Sequence, residues 1–177
     1  MIAWDALEVE IKNWLDDLGE KTEDDTAKFF SDSYIEAVTA GTDPKMNPAI
    51  IIPGKGDIIH QSWLASFDAQ KASDVPLGPA GWAPVDSAII TFWTGTLFGF
   101  AIPHPPGVTG ASNLVSFPGA PGAIASAIDV AFAQEESGPV ASTLVEAYKT
   151  HAKSILGLWT GVTAAPSPHL APWAGVK

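Results

Sequence analysis

Apolar side chains recur every three or four positions through the first 40 residues, with acidic side chains between them. This spacing is typical of amphipathic helices that bury one face. Gly19 closes the first helix, Thr22 can cap the second, and Gly41 ends it. The stripes consist of Trp4, Leu7, Ile11, Trp14 and Leu18 in the first helix, and of Ala27, Phe30, Tyr34 and Val38 in the second.

A third helix is predicted to begin at Asp57, with Ile59, Trp63 and Phe67 on one face. We expect Trp63, like Trp14 before it, to be a core residue. The apolar run 49–52 stands between two prolines, which favours an extended connector over a central strand.

The pattern in the second half of the chain is less regular. Val85 to Ile102 fits a helix that starts at Pro84; a strand is the alternative, but the run is long for one. The Pro/Gly-rich segment from Pro103 stops it. Two more helices are predicted, the fifth marked by Ile124, Ile128, Ala131 and Phe132, and the sixth starting at Ser137 with Val140, Leu144, Tyr148, Ala152 and Ile155 on its stripe.

These elements predict a mainly α fold: a single domain of about six helices with long ordered Pro/Gly-rich loops and minimal sheet. The chain of 177 residues is one domain by length. Residues 1–70 hold the acidic amphipathic helices. Residues 84–160 hold apolar helices with an intervening Pro/Gly loop, and residues 161–177 form an extended, irregular C-terminal tail.

Charge is distributed unevenly. The net charge is −11, and residues 1–45 alone carry 12 acids against 4 lysines. By contrast, the 42 residues between Asp86 and Asp129 and the 23 residues after Lys153 contain no Asp, Glu or Lys. Such segments suit surfaces that another chain covers. The candidate interface residues are Trp93, His104, Phe117, Trp159, His169 and Trp173.

The absence of arginine argues against direct nucleic-acid binding. Nine scattered lysines among 20 acids cannot build a phosphate-binding surface, and anionic membranes are disfavoured for the same reason. One alternative remains a membrane-associated protein that uses residues 85–102, where Gly95 and Gly99 have the spacing of a small-residue helix seam.

Sequence motifs for catalysis are absent. There is no Cys, no nucleophile elbow and no metal-ligand spacing among the histidines, so no cofactor and no metal is expected. Residues 53–57 read as a turn before a helix, because the spacing of a phosphate-binding loop is missing. His151 is predicted to be hydrogen-bonded in the core or at an interface.

The second alternative is a hydrolase with scattered catalytic residues, which requires a pocket around His151 or His104 and a nearby carboxylate.

Residues 80–177 combine Trp93-Thr94-Gly95, a Pro-rich loop through Phe117-Pro118-Gly119, an Ala-Tyr-Lys-Thr-His-Ala helix and Gly157-Leu158-Trp159-Thr160-Gly161. This pattern resembles small virion proteins of tailed bacteriophages. The resemblance implies a non-enzymatic structural subunit in the neck, tail, baseplate or capsid of a virion. The predicted partners are other copies of itself and neighbouring virion proteins, and the charge pattern argues against direct contact with nucleic acid or membrane.

Overall fold

The computed structural model describes residues 2–44, 46, 48–50, 54–99, 112–116, 121–162 and 168–177. Within these ranges the chain forms six α-helices and five short strands, so the prediction of a mainly helical fold with about six helices is confirmed. The helices are α1 (Trp4–Asp16), α2 (Glu23–Thr39), α3 (Lys55–Ala72), α4 (Pro79–Trp93), α5 (Ala123–Phe132) and α6 (Ser137–Ser154).

Local sequence signals place the helix starts. Thr22 caps α2 through a reciprocal capping box: its Oγ1 accepts from the Asp25 amide, and the Asp25 carboxylate accepts from the Thr22 amide. These hydrogen bonds hold the pKa of Asp25 below its usual value. Before α3, Gly54 takes a left-handed conformation with φ of 83°, which a residue without Cβ adopts freely. The turn predicted for residues 53–57 is therefore confirmed at Gly54, while Pro53 lies outside the described residues.

The six helices close into a ring. Each helix packs against the next one along the chain, and α6 packs back against α1. The apolar stripes predicted for α2 and α6 lie inside this ring and are buried, as predicted. The largest fully buried side chains are Trp63, Trp93, Tyr34, Phe30, Phe92 and Phe98. Trp14 is only half-buried, and its ring stacks on Phe29 at a centroid distance of 4.3 Å.

The strands form one antiparallel sheet in chain order, from β1 (Ala49–Ile50) through β2 (Leu97–Phe98), β3 (Ser112–Ser116) and β4 (Leu156–Val162) to β5 (Pro168–Ala174). Among the described residues, close backbone contacts join helix to helix and strand to strand, and hardly any join a helix to a strand. The sheet is therefore a separate layer beside the helical ring.

Three elements of the structure differ from the sequence-based predictions. The helix predicted for residues 85–102 ends at Trp93, because Gly95 adopts a left-handed turn with φ of 71° and the chain then enters β2. Pro84 lies inside α4, and Pro79 occupies the helix start instead. The tail at 161–177 is not irregular throughout, since its β5 segment pairs along the whole of β4.

Replacing Trp63 with Ala should lower the free energy of unfolding by about 3–5 kcal/mol, because it removes a fully buried indole that stacks on Phe30. Urea unfolding followed by far-UV circular dichroism measures this change. Val75→Ala is the control, since Val75 is 66% exposed and its truncation should change stability by less than about 0.5 kcal/mol. Equal unfolding midpoints for the two variants would contradict the core assignment.

Candidate functional site

The sheet carries no formal charge in any of its described strands. β1 to β5 contain no Asp, Glu or Lys, and His169 is their one titratable side chain. In contrast, the helices α1 and α2 are densely acidic on their outer faces. The two long uncharged runs of the sequence are thus brought together by strand pairing, since β2 and β3 come from the first run and β4 and β5 from the second.

One face of the sheet is turned toward the helical ring. Phe98 on β2 is fully buried and its ring lies parallel to that of Trp93, with centroids 6.4 Å apart. Gly157 at the base of β4 is also buried. Lys55 secures the same junction, because its ammonium donates to the carbonyls of Phe92 and Thr94 at the end of α4. Partial burial lowers the pKa of this lysine.

The opposite face exposes large aliphatic side chains. Ile50 and Leu97 are direct cross-strand partners and are 49% and 39% exposed, while Leu156 on β4 is 44% exposed. In the backbone register, Leu97 pairs with Asn113, and Asn113 pairs with Leu158. These three apolar side chains are therefore exposed to solvent on a sheet whose described strands carry no formal charge.

The outer edge of β5 is poorly suited to pairing with a further strand. The amide of Gly175 donates to the carbonyl of Ile155 at 2.8 Å. In this register the backbone N–H and C=O groups of the odd-numbered residues of β5 point toward β4, and those of the even-numbered residues point away from it. Pro168 and Pro172 therefore occupy outward positions, and neither has an amide proton to donate. The edge of β5 is therefore a poor template for a further strand.

The six residues predicted to form an interface lie in different parts of the chain. Trp93 is fully buried inside its own chain, so its assignment to an interface is wrong. His104 and Phe117 lie outside the described residues. Trp159, His169 and Trp173 lie in the paired strands β4 and β5, and their role at an interface stays a prediction. The exposure of Ile50, Leu97 and Leu156 was not predicted. β1 and β2 have two residues each, and so short a strand shows no periodicity.

A second feature is a cleft between α5 and α6 with a volume of about 620 Å³. Its wall is largely small and apolar, and His151 lies in it. His151 is buried as predicted, with 7% exposure, but neither ring nitrogen has a hydrogen-bond partner among the described residues. The expected hydrogen bond is therefore not found. The lining residues are Ala123, Ile124, Ala127, Ser142, Thr143, Glu146, Ala147, Thr150, His151 and Ser154.

The cleft has both features set for a hydrolase, a pocket at His151 and nearby carboxylates at Asp86 and Glu146. Asp86 is the nearby buried carboxylate, but it accepts hydrogen bonds from the backbone amides of Gly122, Ile124 and Ala125 and so caps α5. The Ser154 hydroxyl donates to the backbone carbonyl of His151 rather than to its ring. Among the described residues, no hydrogen bond connects the His151 ring to a nucleophile or to a carboxylate.

The described part of the chain also bears on a metal site and on a membrane-spanning helix. Its His, Asp and Glu side chains form no group of three or more with the geometry to hold a metal ion. The helices in these same ranges include none with the length and apolar character needed to cross a membrane. The segment proposed for membrane association, residues 85–102, divides into the end of α4, a turn and β2 before the described residues stop at 99.

Comparison with known proteins found no matching family model, no similar curated protein and no similar solved structure.

Burial makes His151 a source of acid sensitivity. Desolvation lowers its pKa from 6.5 to about 4, although the negative charge of Asp86 acts in the opposite direction. The unfolded chain therefore binds a proton at a pH where the folded chain does not. As a result, folding stability should fall as the pH drops from about 6.5 to 4, by up to about 1.4 kcal/mol per pH unit.

Urea unfolding at several pH values between 7.5 and 4.5 measures this slope in the wild type and in His151→Leu. Leucine cannot be protonated, so the variant should show a flatter profile over that window. Asp16 and Asp25 have pKa values below the usual 3.8, so their contribution is lost only at lower pH. An unchanged slope in His151→Leu would contradict the assignment.

Proposed function

We propose that the chain is a non-enzymatic structural subunit of a phage particle, associated with the neck, tail, baseplate or capsid. In this proposal its location is the virion, and its partners are other copies of itself and neighbouring virion proteins. The supporting observation is the five-stranded sheet, which has no charge in its described strands and exposes Ile50, Leu97 and Leu156. The resemblance of residues 80–177 to small virion proteins supplies the phage context.

Electrostatics explains why contacts between copies would use the sheet. Each copy carries a net charge of −11, so two acidic helical surfaces repel one another at distances within a Debye length. Contact through the sheet face avoids burying like charges and removes apolar side chains from water. The same charge argument disfavours direct contact with DNA, because that contact requires neutralisation of several phosphates by Lys or Arg.

The size of the sheet face favours assembly in many copies over a tight dimer. With strands about 4.8 Å apart and a rise of about 3.3 Å per residue, the five strands cover roughly 350–400 Å² in projection. A stable interface buries about 800 Å² per partner, so a single pair would adhere weakly through this face alone. Several weak contacts per subunit act together in a particle, where the effective concentration of neighbours is high.

A charge placed on the exposed face should weaken self-association. Leu97→Lys puts an ammonium group in the apolar row beside Ile50, where burial of an unpaired charge costs several kcal/mol. We expect at least a tenfold higher dissociation constant by sedimentation equilibrium, with the thermal midpoint changed little because Leu97 is 39% exposed. Val75→Lys is the matched control, since it makes the same change in net charge on an exposed loop.

The two lysine variants separate the alternatives. If overall repulsion alone governed association, both would associate more strongly than the wild type, because each lowers the net negative charge. Equal association of Leu97→Lys and Val75→Lys would therefore reject the sheet face as the contact surface.

The virion assignment predicts a fixed copy number in purified particles. Quantitative mass spectrometry of purified particles of a phage whose genome encodes this chain should recover it in constant ratio to the other structural proteins. A copy number near 6 or 12 would indicate the neck or tail, and hundreds of copies would indicate the capsid. Absence of the chain from washed particles would reject the structural role, whatever its behaviour in isolation.

A further inference from the structure

The cleft between α5 and α6 is distinct from the sheet face and is unused in the assembly role. Its volume of about 620 Å³ lies within the range of small-molecule sites, which are mostly apolar with a few directed polar groups. Ala123, Ile124, Ala127 and Ala147 form the apolar wall, and short side chains there keep the space between the helices open. The polar contribution deepest in the wall comes from His151, which is 7% exposed.

His151 has unmet hydrogen-bonding capacity. Both ring nitrogens are buried without a partner among the described residues, although a neutral imidazole has one donor and one acceptor. A buried polar group without a partner costs about 1–3 kcal/mol, and most native proteins avoid that cost. The nearest buried carboxylate, Asp86, is already occupied by three backbone amides and does not relieve it.

The surrounding charges define which ligands fit. Glu146 is the one formally charged side chain in the wall, and Asp86 lies buried behind His151, so anions would be repelled. No lysine lines the cleft in the part of the chain described. A neutral ligand with an apolar body fills the alanine-lined space, and a hydroxyl group on it can both donate to and accept from an imidazole.

We propose that the α5–α6 cleft binds a small, neutral, mainly apolar molecule whose hydroxyl group hydrogen-bonds to the His151 ring. The apolar body of the ligand packs against Ala127 and Ala147, on facing helices. Because His151 lines the cleft, a rotation of its imidazole toward the cleft brings a ring nitrogen within reach of the ligand hydroxyl. Binding removes the cost of the unpaired nitrogens and covers the apolar wall, and both effects favour the complex.

Phenol and toluene are matched probes for this proposal, because they have similar size and differ in the hydroxyl group. Titration of the isotope-labelled full chain, followed by amide and imidazole resonances, measures where each probe binds and how tightly. Phenol should bind saturably, shift the His151 ring signals and shift amides of α5 and α6. Its affinity should exceed that of toluene by about three- to tenfold, which corresponds to one ordinary net hydrogen bond.

Three variants test the assignment. His151→Leu should make phenol and toluene bind equally. Ala127→Leu fills the cleft from a half-exposed position and should abolish saturable binding of both probes, and Ser126→Leu, on the exposed surface of the same helix outside the cleft, should leave binding unchanged. Failure of His151→Leu to fold would leave the other two variants and the wild-type ring signals to decide.

Two results would overturn the proposal. Probe-induced shifts that persist in Ala127→Leu would place binding elsewhere on the chain. Equal affinities for phenol and toluene in the wild type, without a change in the His151 ring signals, would exclude the hydrogen bond to the imidazole. Neither result depends on whether the chain assembles through its sheet.

Discussion

The hydrogen bond from the Trp93 indole to the Tyr34 hydroxyl, 2.7 Å long and fully buried, joins the parts of the molecule. Tyr34 lies on α2 and its ring also contacts Tyr148 on α6, with centroids 4.8 Å apart. Trp93 ends α4, and the ring of Phe98 on β2 lies parallel to it. The helical ring and the sheet therefore share one aromatic junction. Loss of either polar partner would leave the other unpaired in the core, which is costly.

The acidic and the uncharged segments of the sequence form different layers of the structure, the helical ring and the sheet. The acidic residues are concentrated in the helices, where they face water, and the uncharged runs supply four of the five described strands. Asp86 marks the boundary, because it is the last charged residue before the long uncharged run and its carboxylate fixes the start of α5. A single carboxylate thus anchors the return of the chain from the sheet to the helices.

The helical part of the fold follows from local patterns, and the sheet does not. The stripes of α2 and α6 and the cap at Thr22 are readable because helix periodicity repeats over many turns. β1 and β2 have only two residues each, and their pairing depends on contacts distant in sequence. The two uncharged runs of the sequence led us to expect a contact surface. The pairing of Ile50 with Leu97 depends on strand register, which the sequence pattern does not reveal. The burial of His151 was predictable from its stripe, whereas its unpaired nitrogens depend on the packing of α4 and α5.

Pro168 and Pro172, whose backbone nitrogens point away from β4, limit strand addition at the edge of the sheet when the chain is concentrated. An apolar sheet with a free edge is a template for fibril growth, since each added strand exposes a new edge. Pro168 and Pro172 interrupt that growth by withholding donors at alternate outward positions. The chain can then stay dispersed at high concentration, because its sheet does not extend strand by strand through the β5 edge.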